Sequence, residues 1–214
     1  MSHKHGLRLP RGNGDGRAVP LADPMSGNTE KQYGVDGPPQ LHGLSRELSV
    51  ELAQFLGWSD LEDDDWCAQV VCTCGEESRF RILQANEKSN EGWQKGPWGH
   101  AITDLECASC GLRIPLFHEG FHGYNAVVCD EKDEMPVNYV EHNRQFLKRT
   151  LCDQCGGDEF GVAALARYDD DDLREGFADT PVDQWDDAYG WFHADSWCKT
   201  CKSIKKMFVG HETA

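Results

Sequence analysis

Cys152-Asp153-Gln154-Cys155-Gly156 and Trp197-Cys198-Lys199-Thr200-Cys201 are the stretches whose reading decides the fold. Two cysteines separated by two residues on a tight turn can aim both sulfurs at one point. Two such turns complete a tetrahedron around a zinc ion at about 2.3 Å per sulfur. Upstream stands a second set, Cys72-Thr73-Cys74-Gly75 and Cys107-Ala108-Ser109-Cys110-Gly111. Its first turn has one residue between the sulfurs instead of two. Cys67, Cys129, His100 or His118 could therefore replace one sulfur of that set. Four thiolates fill the tetrahedron and leave no position for water or substrate, so two structural zinc ions are expected and neither is expected to be catalytic.

A tandem repeat selects which pairs share an ion. Cys74, Gly75 and acidic residues lead to Phe80, as Cys155, Gly156 and acidic residues lead to Phe160. Trp98-Gly99-His100-Ala101 precedes Cys107, as Trp191-Phe192-His193-Ala194 precedes Cys198. Phe117 follows Cys110, and Phe208 follows Cys201, at the same distance. A duplicated unit must close its own site, so Cys72, Cys74, Cys107 and Cys110 are assigned to one ion and Cys152, Cys155, Cys198 and Cys201 to the other. Two turns joined by strands in this way resemble the zinc-ribbon fold, over roughly residues 67–125 and 148–212. The resemblance implies two small, β-rich, metal-stabilised units in tandem. His100 and His193 are read as core or supporting histidines at equivalent positions.

Composition agrees with a stapled fold. Hydrophobic residues make up 39% of 214 residues, so a purely apolar core would be thin, and small cores need metals or crosslinks. The N-terminus lacks the apolar run of a secretory signal, and no stretch has the length of a membrane span. A cytoplasmic location is expected, where close cysteine pairs serve metals rather than disulfides. Net charge is −16, and two four-thiolate zinc sites would bring it to about −20. Such a field disfavours nucleic acid and membrane surfaces and suits a partner protein with a basic surface.

Residues 1–40 hold five of the nine prolines and seven glycines, without hydrophobic periodicity, and read as a disordered tail. Residues 41–130 should contain an amphipathic helix and the first ribbon. The helix is carried by Leu41, Leu44, Leu48, Leu52, Phe55 and Leu56, capped by Ser45, ended by Gly57 and packed on the first zinc unit. Residues 131–149 should form a linking helix from Pro136 to about Lys148, and residues 150–214 the second ribbon. Strands are expected in the stretches beginning at Ala68, Ser78, Ala101, Leu112, Gly161 and Ser203.

Other features point to other functions. His118-Glu119-Gly120-Phe121-His122 matches the HExxH pattern of zinc proteases, with Glu141 available as a third ligand. That pattern needs a continuous helix, and Pro115, Gly120 and Gly123 argue for a turn. Lys199, Lys202, Lys205 and Lys206 would suit nucleic acid, but the acidic run Asp169–Asp172 opposes their field. Trp93 and Trp185, in long polar insertions, are candidate contact residues. The expected protein is a non-enzymatic zinc protein that acts by binding another protein, as an inhibitor, adaptor or accessory subunit. A nucleic-acid-binding ribbon is the alternative.

Overall fold

The computed structural model describes residues 37–59, 61, 65–75, 78–84, 102–118, 121–123, 126, 144–168 and 188–213. Of the tail expected over 1–40, residues 1–36 lie outside these residues, as do both tryptophan-bearing insertions, Cys129, His100, Glu141 and Asp169–Asp172. Residues 37–40 are ordered, with Gly37 and Pro38 buried and Pro39 opening a 3-10 turn, which corrects the tail's end.

Among the described residues nine strands form one antiparallel sheet: β1 (Ser45–Glu47), β2 (Asp65–Val70), β3 (Phe80–Gln84), β4 (Ile102–Cys107), β5 (Arg113–His118), β6 (Lys148–Arg149), β7 (Phe160–Arg167), β8 (Trp191–Cys198) and β9 (Ile204–Glu212). Strand β7 is central. It pairs with β8 along its whole length, with β2 at Ala163–Arg167, and with β3 at Phe160. Seven of its eight residues are buried, which explains its nearly continuous apolar sequence. The hairpins β3–β4 and β7–β8 share a register: Phe80 faces Cys107, and Phe160 faces Cys198.

The strands that lead into the cysteine turns are exchanged. Strand β2 runs toward Cys72 but pairs with β7, whereas β6 runs toward Cys152 but pairs with β3. Ion pairs reinforce the crossing, with Arg81 and Arg149 both reaching Glu106 on β4 and Asp158 beyond Cys155. One apolar core accordingly contains Cys72, Cys107, Cys152 and Cys198 together with Phe80, Phe160, Leu105 and Phe192. A single core thus spans residues expected to form two units.

The long amphipathic helix is corrected. Only α1 (Val50–Leu56) is helical; Ser49, not Ser45, caps it by accepting from the Leu52 N–H, and Gly57 ends it at φ 66°. Leu41 ends a 3-10 turn (Pro39–Leu41), Gly43 reverses the chain at φ 69°, and β1 pairs with β2. The leucine spacing suits a helix, but the Leu44 carbonyl accepts from the Val71 N–H, so sheet pairing claims this backbone. The helix also packs on different strands from those expected. Leu56 is buried against Ala163 of β7 and Trp197 of β8.

Lys148 and Arg149, expected at the end of the linking helix, form β6, while residues 136–143 lie outside the described residues. Among the described residues no helix is long and apolar enough to cross a membrane.

Candidate metal centres

Eight cysteines meet in two groups: Cys72, Cys74, Cys107 and Cys110, and Cys152, Cys155, Cys198 and Cys201. Within each group the four sulfurs lie within 4.8 Å of one another, and each could hold a metal ion. The nearest approaches are Cys72 to Cys110 at 3.5 Å, Cys74 to Cys107 at 3.8 Å, and Cys152 to Cys201 and Cys155 to Cys198 at 3.6 Å. Four sulfurs about 2.3 Å from a central ion stand about 3.8 Å apart, whereas a disulfide joins sulfurs at about 2.05 Å. Tetrahedral ligation fits these separations and disulfide bonding does not.

Local turns position the sulfurs. The Gly75, Gly111 and Gly156 N–H groups donate to the carbonyls of Cys72, Cys107 and Cys152, and Lys202 does the same to Cys198. All four residues have positive φ. The turn at Cys72-Thr73-Cys74 is further held by the Cys72 N–H donating to the Ser78 hydroxyl at 3.2 Å. In the second group the Ser203 hydroxyl lies 3.1 Å from both Cys152 and Cys201 sulfurs. The corresponding residue after Cys110 is Leu112, which offers no such contact.

Crowding divides the thiols. Burial pushes Cys72 up to about 12. Burial also opposes ionisation of Cys107, but the backbone N–H groups of Cys110 and Ser109 pull it down to about 7. The Ser203 hydroxyl, then the Cys155 and Gln154 N–H groups, bring Cys152 to about 6. The Gly157 N–H favours the Cys155 thiolate, yet the Cys198 and Cys201 sulfurs outweigh it and push the thiol up to about 12. Each group therefore accommodates some negative charge by itself, and ionising all four sulfurs requires a cation among them.

Of the alternative ligands, Cys67 and His118 lie elsewhere, and Cys129 and His100 are outside the described residues. Cys67 sits on β2 opposite Leu165. His118 ends β5 and donates through Nε2 to Asp104 at 2.7 Å. His122 follows in a turn, where its Nδ1 accepts from the His118 backbone N–H, and burial pulls it down to about 3, so it is neutral. The HExxH histidines thus occupy a strand end and a turn, with their rings stacked 5.4 Å apart. One ring nitrogen of each is taken by a different partner, and among the described residues neither histidine joins a metal-ligating group.

Sequence reasoning missed a pair of buried aspartates. Asp104 and Asp195 lie three residues before Cys107 and Cys198, each at a register shift in its hairpin and each fully buried. Asp104 takes His118, Arg113 at 2.8 Å and Arg144 at 3.0 Å; burial alone would raise its carboxyl, but these partners hold it below the usual range. Asp195 takes His193 at 2.7 Å, the Trp58 indole at 2.8 Å, the Met207 N–H and Lys206. Against its burial, these partners bring it down to about 2. The common strand register places Ile102 at the position of His193, while the expected equivalent, His100, lies outside the described residues. Counting back from the last cysteine of each set without a gap would have found both aspartates.

Comparison of the chain with protein-family models, curated proteins and solved structures finds no match.

Proposed function

We propose that this is a non-enzymatic protein built from two tandem, strand-exchanged zinc-ribbon units, which acts by binding a partner protein with a basic surface. The observation that carries the metal part is the completeness of each group. Four thiols at tetrahedral separations suit a soft-accepting ion such as zinc and leave it no open position for catalysis. The cysteines would act through the fold they hold, in a reducing compartment such as the cytoplasm that keeps them as thiols.

Charge placement supports the partner. The described residues hold twelve Lys and Arg against ten Asp and Glu, while the whole chain holds 21 against 37. The acidity belongs to the remaining segments, above all residues 169–187, where nine acidic residues accompany one arginine. Acidic segments attached to a nearly neutral sheet would steer a basic partner to its encounter.

Metal analysis of fresh, reduced protein should give two zinc ions per chain, and one or none would overturn the metal reading. Replacing Asp169–Asp172 with Asn should slow association with a captured basic partner, and added salt should shrink the difference. Unchanged association at low salt would remove those residues from the interface. The nucleic-acid reading rests on the lysines after Cys198 and predicts the opposite sign, with tighter binding after the same neutralisation.

A further inference from the structure

Each of the four cysteine turns closes on a residue in left-handed backbone. Three are glycines, Gly75 at φ 75°, Gly111 at φ 76° and Gly156 at φ 73°. The fourth is Lys202 at φ 62°, although its N–H makes the same hydrogen bond as its glycine counterparts. A side chain in this conformation is strained relative to glycine, because its Cβ crowds the following carbonyl oxygen. Met207, at φ 45°, is the other described non-glycine residue with positive φ, and it lies on the same hairpin. Neither side chain is spent on the core: Lys202 is exposed, and Met207 is 52% exposed. Residues held in disfavoured backbone conformations cluster at functional sites.

Their surroundings are cationic and partly apolar. From Lys199 to His211 the chain carries four lysines and no acidic residue. Lys199 places its ammonium 5.8 Å from the Trp197 ring, and Lys206 reaches Asp195 beside the end of α1. Phe55 of α1 meets Trp197 edge-on at 6.5 Å while remaining 43% exposed. Balancing the charge of the cysteine group does not by itself explain this rim. The second turn and following strand of the other group, Cys107 to Phe117, carry a single cation, Arg113, and Met207 has no charge to contribute.

We propose that the rim of the β8–β9 hairpin, with Phe55, is a docking surface for an acidic peptide segment bearing an aliphatic or aromatic side chain. It uses other residues than the acidic segments of the proposed function and is opposite to them in charge. The lysines take the peptide's carboxylates, while Met207, an adaptable thioether, and the free edge of Phe55 take its apolar side chain. A peptide fits better than a polynucleotide for two reasons. The chain's net charge of −16 repels a long polyanion, whereas screening over about 8 Å lets the lysines act on a short segment. The Trp197 ring is 7% exposed and offers no open face for base stacking.

The test uses the full chain loaded with zinc and fluorescence anisotropy. The probe is a fluorescein-labelled octaglutamate interrupted by Leu-Phe, compared with the same peptide carrying Ala-Ala and with a charge-matched oligothymidine. The Leu-Phe peptide should bind tightest. Lys202→Gly should leave the melting temperature unchanged or higher, because the backbone relaxes, yet weaken the peptide about five-fold. Met207→Gly should weaken the Leu-Phe peptide and leave the Ala-Ala peptide unaffected. Absence of peptide binding, tighter binding of the oligothymidine, or unchanged peptide affinity in Lys202→Gly would each overturn the proposal. So would zinc loss from Lys202→Gly, since it would assign the lysine to charge balance at the metal.

Discussion

Gly161 shows how closely single residues are fitted around the second cysteine group. A Cβ at this position would stand 2.2 Å from the Trp197 ring, which also carries Lys199 and Phe55. Gly161→Ala should therefore displace the indole and destabilise the fold by about 1–3 kcal/mol, as read by denaturant unfolding of the metal-loaded protein. Asp195 is the second sensitive residue. Its carboxyl is held at about 2 against an ordinary 3.8, so its stabilisation is complete above about pH 4 and fades as pH falls through 2. Asp195→Asn should cost about 3 kcal/mol at neutral pH, because a fully buried carboxylate that accepts from His193, the Trp58 indole and the Met207 N–H and pairs with the half-exposed Lys206 loses its charge. Equal stability of the variant and the native protein at pH 7 would show that Lys206 and His193 find other partners.

At the scale of elements, α1 is too short to be stable alone and depends on what it touches. Leu56 is buried beside Ala163 and Trp197, and the Trp58 indole donates to Asp195 just past the Gly57 cap. Leu56→Ala should cost about 2–5 kcal/mol and loosen the helix from the second hairpin. Hydrogen exchange across Val50–Leu56 would report this directly, and unchanged protection would mean that the cap and the indole hold the helix without the leucine.

Across the whole molecule, the exchange of β2 and β6 makes each cysteine group lean on the other's strands. The group at Cys72 anchors a strand paired with β7, and the group at Cys152 anchors a strand paired with β3. Disrupting the first group with Cys74→Ser should thus lower the affinity of the second for zinc by about ten-fold, within the usual range of coupling between sites. Chelator titration of the variant measures this. A second site of undiminished affinity would show that the strands pair without support from the distant metal.

Local chemistry made the cysteine turns legible, because ligand spacing and turn-forming glycines are properties of a few consecutive residues. The β-branched and aromatic residues beside turn residues, as around Phe80, Ile102, Ile114, Val162 and Phe208, announced strands for the same reason. The leucine period from Leu41 to Leu56 misled, since spacing does not reveal that the Leu44 carbonyl is taken by Val71 and that Gly43 turns the chain. Residues Lys148 and Arg149 carried no strand signal of their own, and pairing with Leu83 and Gln84 alone makes them one. Strand exchange, the joint core and the partners of Asp104 and Asp195 were likewise decided only in the tertiary structure. The sequence determined which residues could bind a metal or extend as strands; which strands met depended on hydrogen bonds and burial between segments far apart in the chain, where local pattern carries no information.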